Sequence, residues 1–178
     1  MKHARVAYAG AVHHAVPHAH GLQLDDGRVL AEDQVVWLPP LQPGTIIALG
    51  INYADHAKEL AKELTLSAKD EPLAFLKGPN ALLGHRGLTR RPADATFMHY
   101  ECELGVVIGR SASKVRAADA MAHVAGYTVA NDYAIRNFLE PYYRPNLRVK
   151  SRDGGTALGP WLVSPDEVGD PMALALRT

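Results

Sequence analysis

The chain has 178 residues, of which 47% are hydrophobic and 21% charged, and its 19 lysines and arginines balance 19 aspartates and glutamates. Such a composition is ordinary for a globular protein, and zero net charge gives no electrostatic case for binding nucleic acid or an anionic membrane. No apolar run reaches transmembrane length, and the first residues lack the apolar core of a signal peptide. The single Cys102 allows no internal disulfide. We therefore expect a cytoplasmic protein.

The first 45 residues have the pattern of a small β-rich subdomain. Residues 5–10 and 34–38 are rich in strand-forming side chains, and residues 21–30 predict a hairpin around an Asp-Gly turn. A turn-rich segment at residues 39–44 follows and marks a boundary. We expect a second, larger domain to begin at residue 46.

Four histidines, His13, His14, His18 and His20, lie between the predicted strands of this subdomain. They could bind a transition metal. Pro and Ala separate them, without a regular strand or helix that would direct several imidazoles to one point. We interpret the stretch as a surface loop, and a metal site is the alternative.

A buried strand at residues 45–50 and a helix that starts at Tyr53 are predicted next. Asn52 is a suitable N-cap for this helix. His56 and Glu59 are three residues apart and therefore share one face of it. A histidine beside a glutamate is usually a surface pair, and a catalytic pair is the alternative.

Two carboxylates lie near the start of a predicted strand at residues 99–109, which ends in a β-branched run and is expected to be buried. Side chains alternate along a strand, so Glu101 and Glu103 point to the same face and repel each other. A hard divalent cation, which prefers oxygen ligands, would neutralise them. A solvated strand end facing water or an arginine is the alternative.

Further charged groups follow at the ends of later segments. A strand at residues 126–133 ends with a third carboxylate, Asp132, and an earlier strand at residues 71–77 ends with Lys77. In residues 146–155, Arg148, Lys150 and Arg152 alternate with uncharged residues, which predicts a strand with one basic face. That face would line a cleft for an acidic ligand or simply meet solvent. The last residues, 173–178, predict an incomplete strand.

Three separate motifs resemble the fumarylacetoacetate hydrolase superfamily: residues 48–56 with Asn-Tyr-Ala-Asp-His, residues 99–104 with His-Tyr-Glu-Cys-Glu-Leu, and residues 126–132 ending in Asn-Asp. Residues 131–154 resemble the isomerase/decarboxylase branch that acts in 4-hydroxyphenylacetate breakdown. The resemblance covers residues 45–178. It implies a mixed, mainly β fold, a twisted β-roll with few short helices, preceded here by the small N-terminal subdomain.

The resemblance also implies roles for single residues. Glu101, Glu103 and Asp132 match the positions that hold one Mg²⁺ or Mn²⁺. Lys150 matches a lysine beside the metal and the substrate oxygens, while His56 and Glu59 match a dyad on a lid helix that moves a proton or positions water. Lys77, Arg148 and Arg152 are candidates for binding the distal carboxylates of a substrate.

The implied function is that of a metal-dependent decarboxylase, isomerase or both, acting on an unsaturated tricarboxylic 2-oxo acid in aromatic catabolism. An acylpyruvate-type C–C hydrolase is the first alternative, and a non-catalytic remnant that binds metal or a dicarboxylate is the second. The family continues for several strands beyond the position of residue 178, so the domain at residues 46–178 is expected to be C-terminally incomplete. The resemblance also implies a homodimer.

Overall fold

A computed structural model of the chain describes residues 1–60, 72–139 and 147–177. Across these ranges the chain is mainly β, with short α-helices and single turns of 3₁₀ helix between the strands. The predicted mixed, mainly β fold with few short helices is therefore confirmed. None of the helices in the described ranges is long and apolar enough to cross a membrane.

The N-terminal part is a set of antiparallel strands around a small core. Its strands are β1 (Lys2–Tyr8), β2 (Ala11–His18), β3 (Gly21–Leu24), β4 (Val29–Leu30) and β5 (Val36–Leu38). The predicted hairpin is confirmed, because β3 pairs with β4. Val6 and Leu22 are fully buried in the core, and Trp37 packs edge-to-face on Trp161 with 5.5 Å between the ring centroids.

The surface loop predicted around the histidines is wrong for most of its length. His13, His14 and His18 belong to β2, which pairs with β1 on one side and β3 on the other. The two neighbouring ladders satisfy the backbone groups of β2 whatever its side chains are, so tertiary pairing overrides the weak strand propensity of this segment.

The rest of the described chain supplies a second group of strands and three short helices. These are β6 (Ile46–Gly50), α1 (Ala54–Leu60), β7 (Leu73–Lys77), β8 (Leu82–Leu83), β9 (Met98–His99), β10 (Cys102–Ile108), β11 (Val124–Asp132), β12 (Ala134–Ile135), α2 (Leu147–Lys150), β13 (Thr156–Leu158), β14 (Leu162–Val163) and α3 (Pro165–Val168). Strand β11 is central: β10 pairs with it on one side, and β13 and β14 pair with it on the other.

Strand β1 connects the two groups, because it pairs with β14 as well as with β2 and β5. The N-terminal strands and the strands around β11 therefore form one continuous sheet of ten strands. Strands β6 and β7 form a separate two-stranded sheet. The division into a subdomain at residues 1–45 and a domain at residues 46–178 stays a prediction.

Three local predictions differ from the structure. Strands β6 and β10 form as expected but are not fully buried, since Ile47 and Ile108 are 65% and 59% exposed. The prediction of a basic strand at residues 146–155 is wrong for the described residues 147–155, because the Ser151 N–H donates to the Leu147 carbonyl over 2.9 Å and closes the helical turn of α2. No strand forms at residues 174–177, which follow a 3₁₀ turn capped by Asp170.

Candidate metal centre

Three carboxylates meet where β10 begins and β11 ends. The two strands are antiparallel, so Glu101, which immediately precedes β10, and Glu103, near its start, lie beside Asp132 at the end of β11. The Asp132 N–H donates to the Glu101 carbonyl over 2.9 Å, and the Glu101 N–H donates to Oδ1 of Asn131 over 3.1 Å. One oxygen from each of the three carboxylates lies within 4.8 Å of the other two.

Three cations surround this cluster. Nζ of Lys150 forms ion pairs with both Glu101 and Asp132, and donates to Oδ2 of Asp132 over 2.9 Å. Nζ of Lys77 pairs with Oδ1 of Asp132 and also donates to the carbonyl of Lys150. Nη2 of Arg136 pairs with Oε1 of Glu101. Glu101 and Asp132 thus each have two cationic partners.

Glu103 is the exception, because no ion pair or hydrogen bond of its side chain is present among the described residues. Burial raises the pKa of Glu103 to about 7, and the neighbouring charges of Asp132 and Glu101 act in the same direction. Burial has the opposite effect on the cation Lys77, whose pKa it lowers, while Asp132 opposes this decrease. The side chain of Lys77 is only 2% exposed, so its pairing with Asp132 is essential to its charge.

The turn after α2 is fastened to the segment that follows β7. The Gly78 N–H donates to Oγ of Ser151 over 2.8 Å, and Nδ2 of Asn80 donates to Oδ1 of Asp153 over 2.6 Å. The Gly154 N–H returns to the Asn80 carbonyl over 3.1 Å. These bonds hold the end of α2 beside β7, which brings the ammonium groups of their last residues together over the carboxylates.

The donor set fits a hard divalent cation. Carboxylate oxygens are the ligands that Mg²⁺ and Mn²⁺ prefer, and three of them converge here. A second group with converging atoms is formed by His13 on β2 and by Asp25 and Asp26 in the turn between β3 and β4. Its members are already partnered, because His13 contacts Asp25 over 3.0 Å and Arg28 pairs with Asp26. We therefore place the candidate metal centre at Glu101, Glu103 and Asp132.

A cleft of about 580 Å³ opens beside the centre, between β6 on one side and the sheet around β11 on the other. Lys77, Glu103 and Asp132 line its charged end. Tyr53 also lines it, and its hydroxyl accepts a hydrogen bond from the Leu104 N–H over 3.0 Å. This bond ties the start of α1 to the strand that carries the carboxylates.

The remaining predicted residues are less closely grouped. His56 is exposed on α1, and its side chain forms no hydrogen bond or ion pair with another described residue. Glu59 belongs to the same helix, but its side chain is outside the described part. The guanidinium of Arg148 lies 5.0 Å from the ring centroid of Phe138. Nη1 of Arg152 is buried without a hydrogen-bond partner among the described residues.

Sequence reasoning assigned no role to Arg136 or Asn131, although both stand next to predicted ligands in the structure. Nε of Arg136 donates a hydrogen bond to Nδ1 of His99 over 2.9 Å, while its Nη2 forms the ion pair with Glu101. The pattern of residue types gave no signal for Arg136, because the predicted divalent cation and Lys150 already balance the charge of three carboxylates. The pairing of Arg136 with Glu101 depends on the conformation of residues 132–136, and the pattern of residue types does not predict that conformation.

Residues 45–178 match the family described as fumarylacetoacetate (FAA) hydrolase C-terminal. A curated relative, the 4-hydroxyphenylacetate degradation bifunctional isomerase/decarboxylase of Salmonella dublin, is 53% identical over 165 residues, which is 90% of this chain and 38% of that protein. The chain therefore spans about two fifths of the length of this relative.

Two solved structures have the same fold. The 5-carboxymethyl-2-hydroxymuconate delta-isomerase from Mycobacterium smegmatis matches with a TM-score of 0.76 and 33% identity, over 92% of this chain and 66% of that chain. The fumarylacetoacetate hydrolase from Exiguobacterium antarcticum matches with a TM-score of 0.79 and 27% identity, over 96% of this chain and 69% of that chain. The predicted twisted β-roll is confirmed by these similarities.

Proposed function

Because the chain belongs to the fumarylacetoacetate hydrolase family, we propose that it carries the metal-binding centre of a decarboxylase, an isomerase or an enzyme with both activities. Its substrate is an unsaturated tricarboxylic 2-oxo acid of aromatic catabolism. The observation that supports this most strongly is the convergence of Glu101, Glu103 and Asp132 at the charged end of a cleft. The relative from Salmonella dublin is named for both activities, and the one from Mycobacterium smegmatis for isomerisation.

The proposed roles at the centre follow from charge and position. Glu101, Glu103 and Asp132 hold Mg²⁺ or Mn²⁺. The bound cation supplies a Lewis acid that polarises the keto oxygen and stabilises the negative charge that develops as CO₂ leaves or a proton moves. Lys150 contributes a fixed positive charge beside Glu101 and Asp132, in a buried position where electrostatic interactions are strong.

Proton transfer is assigned to the helix α1 in this proposal. His56 and Glu59 act as the dyad that delivers or removes the proton. The Tyr53 hydroxyl supports this assignment, since it fixes the start of α1 to Leu104, next to Glu103. Lys77 lines the cleft and is paired with Asp132. In this proposal it contacts a substrate oxygen while it keeps that ion pair.

A C–C hydrolase acting on an acylpyruvate is the second candidate. The similarity to the Exiguobacterium antarcticum structure favours it, because that protein is named a hydrolase and shares the fold over most of this chain. Such a reaction requires water to attack a carbonyl, and His56 and Glu59 would position it. A third candidate is a non-catalytic protein that binds metal or a dicarboxylate.

Turnover assays on the purified chain with Mg²⁺ or Mn²⁺ separate the three. We expect CO₂ release from the tricarboxylic 2-oxo acid, or an ultraviolet change as the diene isomerises, and no acylpyruvate cleavage. Acylpyruvate cleavage without CO₂ release selects the hydrolase instead. Metal binding without any turnover selects the non-catalytic protein.

The location of the metal is tested by calorimetric titration of Mn²⁺ into matched variants. Glu103→Gln is expected to abolish high-affinity binding, because it removes a ligand of the proposed centre. His13→Ala is the control: it disrupts the other cluster of converging atoms and is expected to leave Mn²⁺ affinity unchanged. The reverse pattern contradicts the proposed centre.

A further inference from the structure

The floor of the cleft is one face of the sheet. Side chains alternate along β11, so Thr128, Ala130 and Asp132 point to the same face, and all three line the cleft. Gly105 is the cross-strand neighbour of Thr128 on β10 and has no side chain to fill the space. A Cβ at this position would lie 2.8 Å from the Thr128 methyl group.

Two hydroxyl groups on this floor have no partner. Thr128 and Thr156 are 5% and 4% exposed, and the Oγ1 atom of each is buried without a hydrogen bond among the described residues. Buried polar groups are nearly always hydrogen-bonded, so an unpartnered one requires an explanation. Both threonines line the cleft, so the hydrogen-bond partner that their hydroxyls lack among the described residues can come from a molecule bound there.

The two threonines stand at different distances from the carboxylates. Thr156 is the direct cross-strand partner of Asp132, so its hydroxyl lies at the charged end. Thr128 precedes Asp132 by four residues, which corresponds to roughly 13 Å along a strand. Ala130 and Leu158 face each other between these ends and give the floor an apolar middle.

We propose that Thr156 and Thr128 determine which acids the cleft accepts, an inference that rests on the proposed function. Thr156 donates a hydrogen bond to an oxygen of the 2-oxo acid head bound at the carboxylate end. The carbon chain of the ligand lies over Ala130 and Leu158. Thr128 donates to an oxygen at the far end, so the preferred ligand is a 2-oxo acid whose tail carries an oxygen-bearing group at that distance.

Three probes that share a chelating head test this assignment. Oxalate has a head and no tail, 2-oxoheptanoate has an apolar tail, and 2-oxoheptanedioate has a tail that ends in a carboxylate. Their affinities are measured by calorimetry on the full chain loaded with Mn²⁺. A neutral tail oxygen is examined with the tail methyl ester of 2-oxoheptanedioate, which separates hydrogen bonding from charge.

Valine is the matched substitution because it keeps the shape of threonine and its contact with Gly105. Thr128→Val is expected to weaken 2-oxoheptanedioate and its methyl ester by roughly tenfold, the effect of one lost hydrogen bond, and to leave oxalate and 2-oxoheptanoate unchanged. Thr156→Val is expected to weaken all of the probes. Thr128→Ser should restore binding, and Thr128→Val should unfold at a temperature no lower than the wild type.

The possible failures are distinct. If oxalate does not bind the wild type in the presence of Mn²⁺, the proposed function is wrong and this assignment with it. If oxalate binds but Thr128→Val weakens every probe equally or weakens none, only the assignment of the threonines is wrong. A lower unfolding temperature together with uniform loss of binding shows that Thr128 has a structural role.

Discussion

Replacing Glu103 with glutamine is expected to stabilise the metal-free protein while it abolishes metal binding. Glu103 lies beside two other carboxylates and has no cationic partner among the described residues, whereas Glu101 pairs with Lys150 and Arg136. Glutamine keeps the shape of the side chain and removes the repulsion. A residue retained for a ligand at the expense of stability should behave in this way.

The size of the effect follows from the pKa of Glu103, which rises from 4.5 to about 7 in the folded chain. A raised carboxyl pKa means that the folded state prefers the protonated form, so stability is fully present below pH 4.5 and decreases as the pH rises through about 7. At about 1.4 kcal/mol per pKa unit the limit is about 3 kcal/mol, and partial exposure of the side chain reduces it by solvent screening to about 1–2 kcal/mol.

Thermal unfolding in a chelator at pH 5 and at pH 8 measures this effect. At pH 8 the Tm of Glu103→Gln should exceed that of the wild type by about 3–6 °C, and the difference should shrink at pH 5. Added Mn²⁺ should raise the Tm of the wild type only. Glu101→Gln is the contrasting variant, because it deprives Lys150 and Arg136 of a partner and should lower the Tm at both pH values. If the two variants are equally destabilised, or the pH dependence of Glu103→Gln equals that of the wild type, the electrostatic reasoning is wrong.

Two further variants test other contacts around the centre. Asp132→Asn should lower the free energy of unfolding by about 3–5 kcal/mol in chemical denaturation, because the buried Lys77 ammonium loses its charged partner; a Lys77→Met, Asp132→Asn double variant should recover most of that loss. Tyr53→Phe removes the hydrogen bond to Leu104 and should cost about 1 kcal/mol of stability. Its Mn²⁺ affinity in calorimetry should not change, since no proposed ligand is altered.

The sequence predicted the local part of the centre well. Alternation along a strand is a property of the backbone, so it predicts Glu101 and Glu103 on one face independently of the tertiary structure. The sequence also predicts Asp132 as a carboxylate at a strand end. Its approach to the glutamates depends on the antiparallel register of β10 and β11, which residue types in each strand do not specify.

The errors concern features that tertiary contacts decide. Arg148, Lys150 and Arg152 alternate as in a strand, but a single helical turn accommodates the same residues, and the bonds of Ser151 and Asp153 to the segment after β7 select the turn. The ion pair of Lys77 and Asp132 could not be predicted from the sequence either, because 55 residues separate the two along the chain. Propensity is a weak guide in such short segments.

The charges of the centre explain why metal and acid should bind together. When all three carboxylates are ionised, the three neighbouring cations balance them, so the centre is neutral before a divalent cation binds. The cation then leaves two uncompensated positive charges at a partly buried site, which is unfavourable unless an anion accompanies it. A dianionic head such as oxalate restores neutrality. Oxalate should therefore raise the Mn²⁺ affinity roughly fivefold or more, and Mn²⁺ should raise the oxalate affinity by the same factor, as linkage requires. Calorimetric titration of each ligand with and without the other measures both factors, and independent binding of the two contradicts this electrostatic account.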